Sequence, residues 1–268
     1  MKRLAALAAF AATLALPLAA QAHRQWLLPS MTVLSGDDPW VTVDAAVSND
    51  LFVFEHNPMR LDGLTITGPD GAKVEPENAS TGKYRSVFDV HLTKPGTYRI
   101  ANAGGGLMAS YKQGGETKRW RGAAADMAKA IPADATEVKV TENSRRVETF
   151  VTAGAPTTEA LKATGVGLEL QPITHPNDLY AGEPAKFRLL MDGQPAKDVE
   201  ITVAPGGVRW RDDRGEMKLK TDATGEFSVT WPTAGFWWME AQVRGGKASV
   251  PNAERSAGYV ATVEVLKN

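Results

Sequence analysis

Apolar positions along this chain recur mostly at two-residue spacing, in short runs. Trp40-Val41-Thr42-Val43-Asp44-Ala45-Ala46-Val47, Leu64-Thr65-Ile66-Thr67 and Arg85-Ser86-Val87-Phe88-Asp89-Val90-His91-Leu92 are such runs. Alternation with this period belongs to half-buried strands, not helices. Gly68-Pro69-Asp70-Gly71 and Lys94-Pro95-Gly96 supply turns between them. One stretch breaks the pattern: residues 121–131 are Ala-rich and end before Pro132, which predicts a short helical insertion.

Residues 152–167, TAGAPTTEALKATGVG, are small and polar, with Pro and Gly, and read as a linker. Strand patterns resume at 168–170, 185–191, 199–204, 226–231, 235–243 and 259–266. The expectation is an all-β chain of two β-sandwich domains, residues 23–151 and 168–268, joined by that linker. The second is expected to be immunoglobulin-like or prealbumin-like. Alternation puts Phe227, Val229 and Trp231 on one core face. Adjacent Trp237 and Trp238 must point oppositely, one into the core and the other to the surface or the domain interface.

Residues 1–22 begin with Lys2 and Arg3, continue as an Ala/Leu run and end in Ala20-Gln21-Ala22. This is the pattern of a cleaved secretory signal, so the expected location is periplasmic and His23 is the expected first residue of the mature chain. No later segment has the apolar length to span a bilayer, which leaves no integral membrane segment after cleavage.

Composition then narrows the chemistry. With 30 Lys+Arg against 31 Asp+Glu, the chain lacks the basic excess of a nucleic-acid binder. It has no Cys, which removes disulfides, thiolate metal sites and a Cys nucleophile. Gly104-Gly105-Gly106 lacks the Lys-Ser/Thr of a phosphate loop, and no Gly-x-Ser-x-Gly elbow is present. The predicted catalytic set is empty.

Four segments resemble the bacterial periplasmic family DUF4198, a domain of unknown function often labelled a periplasmic component of nickel/cobalt uptake. They are His23-x-x-Trp26-Leu27-Leu28-Pro29-Ser30, residues 48–56 (SNDLFVFEH), residues 94–99 (KPGTYR) and residues 174–179 (THPNDL). The resemblance implies a β-rich periplasmic protein connected with transition-metal uptake or sensing. Many relatives carry a second His two residues after the first; here that place is Gln25.

An N-terminal His offers an amine and an imidazole on one residue, and one further imidazole completes a three-nitrogen set that suits copper, with nickel or cobalt as poorer fits. Of the four His, His56 lies at a strand end entering a loop, and His175 follows the linker and faces the first domain. The expected metal ligands are therefore His23, His56 and His175. His91 alternates with Val90 and Leu92 and is expected at the surface. Trp26 is placed to shield the ion. The function expected is a non-catalytic accessory protein binding nickel, cobalt or copper, with a membrane transporter or outer-membrane receptor as partner. The alternatives are a copper monooxygenase built on an N-terminal His brace and a structural β-sandwich interaction module.

Overall fold

The computed structural model describes residues 23–268, so the expected signal segment 1–22 lies outside the described residues. The first half of the chain forms β1 (Arg24–Pro29), β2 (Val33–Leu34), β3 (Trp40–Ser48), β4 (Asn57–Pro58), β5 (Leu64–Thr67), β6 (Lys73–Val74), β7 (Glu77–Thr81), β8 (Ser86–His91), β9 (Gly96–Gln113), β10 (Glu116–Gly122), the helix α1 (Ala124–Ala130) and β11 (Thr136–Ala153). The second half forms β12 (Leu168–Pro172), β13 (Pro184–Met191), β14 (Gln194–Pro195), β15 (Glu200–Pro205), β16 (Met217–Lys220), β17 (Glu226–Thr230), β18 (Gly235–Arg244) and β19 (Ala253–Val265). The all-β reading holds, and the helix falls within the predicted insertion. None of its residues is buried, so it lies outside the core. No helix of the described residues is long and apolar enough to cross a membrane.

Three sheets stack into two sandwiches. A front sheet runs β1-β3-β8-β7, with β4 also on β3, and a back sheet has β13 flanked by β12, β14 and β17. Between them lies a ten-stranded sheet in the order β16-β15-β18-β19-β11-β9-β5-β6, with β10 added on β9 and β2 on β11. One core packs the front sheet on this shared sheet through Trp26, Val43, Phe88, Ile100, Val147 and Trp238. The other packs the back sheet on it through Leu170, Phe187, Phe227, Trp231, Trp237 and Tyr259. The predicted face of β17 and the residue that follows it is observed: Phe227, Val229 and Trp231 are all buried. Trp237 and Trp238 point oppositely as expected, but both are buried, because this strand has a core on each of its faces.

The division near 152–167 needs correction. A separate pair of sandwiches would have no sheet crossing the boundary, yet β19 pairs in parallel with β11, from Val140 opposite Ala253 to Thr149 opposite Thr262. The segment that composition marks as a linker is packed. Thr152 and Ala153 complete β11, and Ala160 and Leu161 are buried in a single 3-10 turn. Beneath it Arg146 stands 3.2 Å from Glu169 and 3.8 Å from Glu148, both carboxylates being buried. Glu169 accepts from the backbone N–H of Thr164, Gly165 and Val166, which fixes the connection in place. Glu148 accepts from the Tyr259 hydroxyl at 2.6 Å. Burial raises the Glu148 carboxyl above its usual range, against the pull of Arg146 and Arg99.

Candidate metal centre

The front sheet brings two histidines together at one end of β3. Its central strand pairs with β1 on one side, Arg24 opposite Ser48, and with β4 on the other, Asn57 opposite Val47. His23 immediately precedes β1 and His56 immediately precedes β4, so both enter the sheet beside the same end of β3. Their rings stack with centroids 3.9 Å apart and planes 9° from parallel. His23 is exposed and His56 half-buried.

Hydrophobic anchors hold the loop that delivers His56. Leu51 is buried in the front core. Phe52 meets the Trp26 ring edge-on at 5.7 Å, and Phe54 packs on the same ring at 6.3 Å. Phe52 also contacts Phe236, and Gly206 lies so close to it that a Cβ there would stand 2.8 Å from the Phe52 ring. Phe52 adopts φ of 60°, a left-handed conformation that costs a non-glycine residue about 1–3 kcal/mol and persists only where packing enforces it. The guanidinium of Arg85 covers the outer side of Phe54 at 4.8 Å. On the other strand, Arg24 is ion-paired with Glu216 and lies 5.0 Å over the Trp238 ring, so the chain is fixed directly after His23.

Trp26 is fully buried under this loop and supports it from below. It does not stand over the histidine rings as a shield from solvent, since His23 is exposed.

His175 is placed elsewhere. It faces the first half of the chain as expected, but beside Thr97 and Thr157, beyond the far end of β1. Its Nδ1 accepts from the Asn177 N–H at 3.2 Å, so Nε2 carries the proton, between the Thr157 carbonyl at 3.2 Å and the Thr97 hydroxyl at 3.0 Å. Burial lowers its pKa, which favours this neutral form. With both nitrogens committed, it joins the packed connection to the shared sheet. His91 stacks on Trp40 at 4.1 Å and bonds Asp38 at 2.5 Å, a surface arrangement.

Donor count sets what the His23–His56 pair can hold. Among the described residues no group of three or more His, Asp or Glu side chains is spaced to bind a metal. The pair supplies two imidazoles, and cleavage before His23 would add an α-amine. Ring lone pairs lie in the ring planes, so two stacked rings direct them side by side. Convergence on one ion takes a rotation of the His23 side chain, which its exposure allows. The set fits a nitrogen-preferring ion of low coordination number better than an oxygen-preferring one.

Sequence reasoning missed the hydrophobic mounting of His56 and the buried Arg146–Glu148–Glu169 group. The signal for the first was present, in Phe52 and Phe54 bracketing an apolar loop. Among solved structures the chain is similar to the D0-D1 domain of intimin, at 12% identity over 90% of this chain and 97% of that one, with a TM-score of 0.23. It is also similar to a marsupial T cell receptor, at 10% identity over 92% of this chain and 73% of that one, with a TM-score of 0.21. No curated protein matches it. Residues 20–245 match the model of a domain of unknown function, and the chain belongs to that family, DUF4198.

Proposed function

We propose that this is a periplasmic protein that binds a transition metal without catalytic turnover, as an accessory of metal uptake or homeostasis. The ion is held by the imidazoles of His23 and His56 and by the α-amine that signal cleavage frees on His23. The observation that supports this reading is the pairing of those two rings at 3.9 Å, although they come from separate segments of the chain. Copper is the ion such a nitrogen set suits best, ahead of nickel and cobalt. The role of the protein is to present the ion at an exposed edge, where a transporter or receptor can take it.

Calorimetry with copper, nickel and cobalt tests this on four proteins: the chain starting at His23, the chain starting one residue earlier, His23→Ala and His56→Ala. The first should bind one ion with copper preferred. Each of the others should bind at least about tenfold more weakly, a difference of about 1.4 kcal/mol. Extension by one residue is the sharpest arm, since it converts the amine to an amide and leaves both imidazoles intact. Equal affinity in all four would overturn the site. Copper-dependent oxidation of an added substrate with peroxide would overturn the non-catalytic role.

A further inference from the structure

Glycines occupy the interior of the two strands that flank β11 in the shared sheet: Gly104, Gly105 and Gly106 in β9, and Gly258 in β19, with Gly104 and Gly258 both opposite Arg145. Each costs about 0.5–1 kcal/mol against alanine inside a strand, so their presence needs a reason. At Gly105 the reason is steric, because a Cβ would stand 2.5 Å from the Asn143 carbonyl oxygen. Gly104 has no such reason: a Cβ there meets nothing within 4 Å. At Gly258 the nearest atom is Arg145 Cγ, at an ordinary contact distance of 3.7 Å. What the bare backbone at these two positions provides is space.

That space is a cleft of about 440 Å³ on the shared sheet, bordered by Gln25, Met108, Arg121, Asn143, Arg145 and Gln242. Its volume lies within the range of small-molecule sites, roughly 300–1,000 Å³. No carboxylate lines it. Arg145 reaches Glu240 through Nη2 at 2.9 Å, but its Nε is buried with no partner. Arg121 forms no salt bridge among the described residues, and its guanidinium hydrogen-bonds the Met108 sulfur at 3.5 Å. Gln242 donates to Ser256 through Nε2 at 3.1 Å, which leaves its carbonyl oxygen to accept. The cleft thus combines positive charge, side-chain amides and an orphaned buried donor.

We propose that this cleft binds a small hydroxylated carboxylate. The carboxylate sits on the guanidinium of Arg121, beside Arg145, since a planar fork of N–H donors matches two carboxylate oxygens. The hydroxyls are met by the amides of Gln25, Asn143 and Gln242, groups that both donate and accept. The site stands on its own residues and does not depend on a metal at His23.

Calorimetry of the metal-free chain from His23 onward, with glucuronate, citrate, glucose and inorganic phosphate as probes, tests it. Glucuronate or citrate should bind one per chain with Kd below about 1 mM. Gly104→Trp fills the cleft and Arg121→Gln removes the charge; each should weaken binding at least about tenfold. Gly104→Trp should keep the unfolding midpoint of the unmodified chain, because its side chain enters open space. Arg121→Gln tests the same site at an exposed position should the larger variant fold poorly. His23→Ala and His56→Ala should bind the carboxylates unchanged, so failure of the metal site and failure of this one are separable. No saturation by either carboxylate, glucose binding as tightly as glucuronate, phosphate binding more tightly than both, or unchanged binding by Arg121→Gln would overturn the proposal.

Discussion

Trp237 and Trp238 are consecutive residues whose side chains lie in different hydrophobic cores, one on each face of the shared sheet. The Trp238 indole N–H donates to the Gln25 carbonyl at 2.9 Å, so β18 of the second half is tied directly to β1 of the first. Truncation of either Trp to Ala should cost about 3–5 kcal/mol. Because the two cores share a sheet, each variant should unfold in one transition, with coincident midpoints by fluorescence and circular dichroism. Two separated transitions would contradict this coupling.

Arg146 holds two buried carboxylates, Glu148 and Glu169, beneath the connection between the halves. Arg146→Met should destabilise the protein by about 3–5 kcal/mol, since it leaves buried charge uncompensated. Adding Glu148→Gln to that variant should recover part of the loss, because an amide oxygen can still accept from Tyr259 and one of the two buried carboxylates is removed. Chemical denaturation of the single and double variants measures the recovery.

The neutral His175 ring gives stability a defined pH dependence. Its folded-state pKa is lowered by burial, so the unfolded chain binds the proton more readily. The contribution is fully present above the ordinary His value of about 6.5 and is lost as pH falls through the depressed folded value. Unfolding free energies from neutral pH downward should show this decline in the unmodified chain and a shallower one in His175→Gln.

The family match ends at residue 245, before β19. A chain cut after 245 loses the strand that joins β18 to β11, along with Tyr259, Val260, Val263 and Val265, all buried. Such a chain should fail to give a cooperative thermal transition. A sharp transition like that of the full chain would show that β18 and β11 can close on each other.

Strand periodicity made most of the architecture legible. Alternation located β3, β8 and β17 and the buried face of the last, because those strands have one face toward a core. It marked the end of β19 as strand but not the two-sided burial of β11, where Glu148 and Thr149 are buried on opposite faces and the two-residue signal disappears. The pairing of those strands is also non-local, and local composition carries no trace of it. The same limit applied to the candidate site. His23 and His56 could be proposed from chemistry, whereas the fate of His175 depended on partners, Thr97 and Thr157, that only the fold brings to it.

The position of β19 also governs the order in which the molecule can be completed. It is the last of the described strands, yet it lies between two strands made earlier, each left with an open edge until it arrives. A chain folding from its amino end would expose β11 and β18 to chance pairing until β19 had formed between them. Such long-range closure is slow and aggregation-prone, so the hazard falls on the partly folded chain, not on the finished protein.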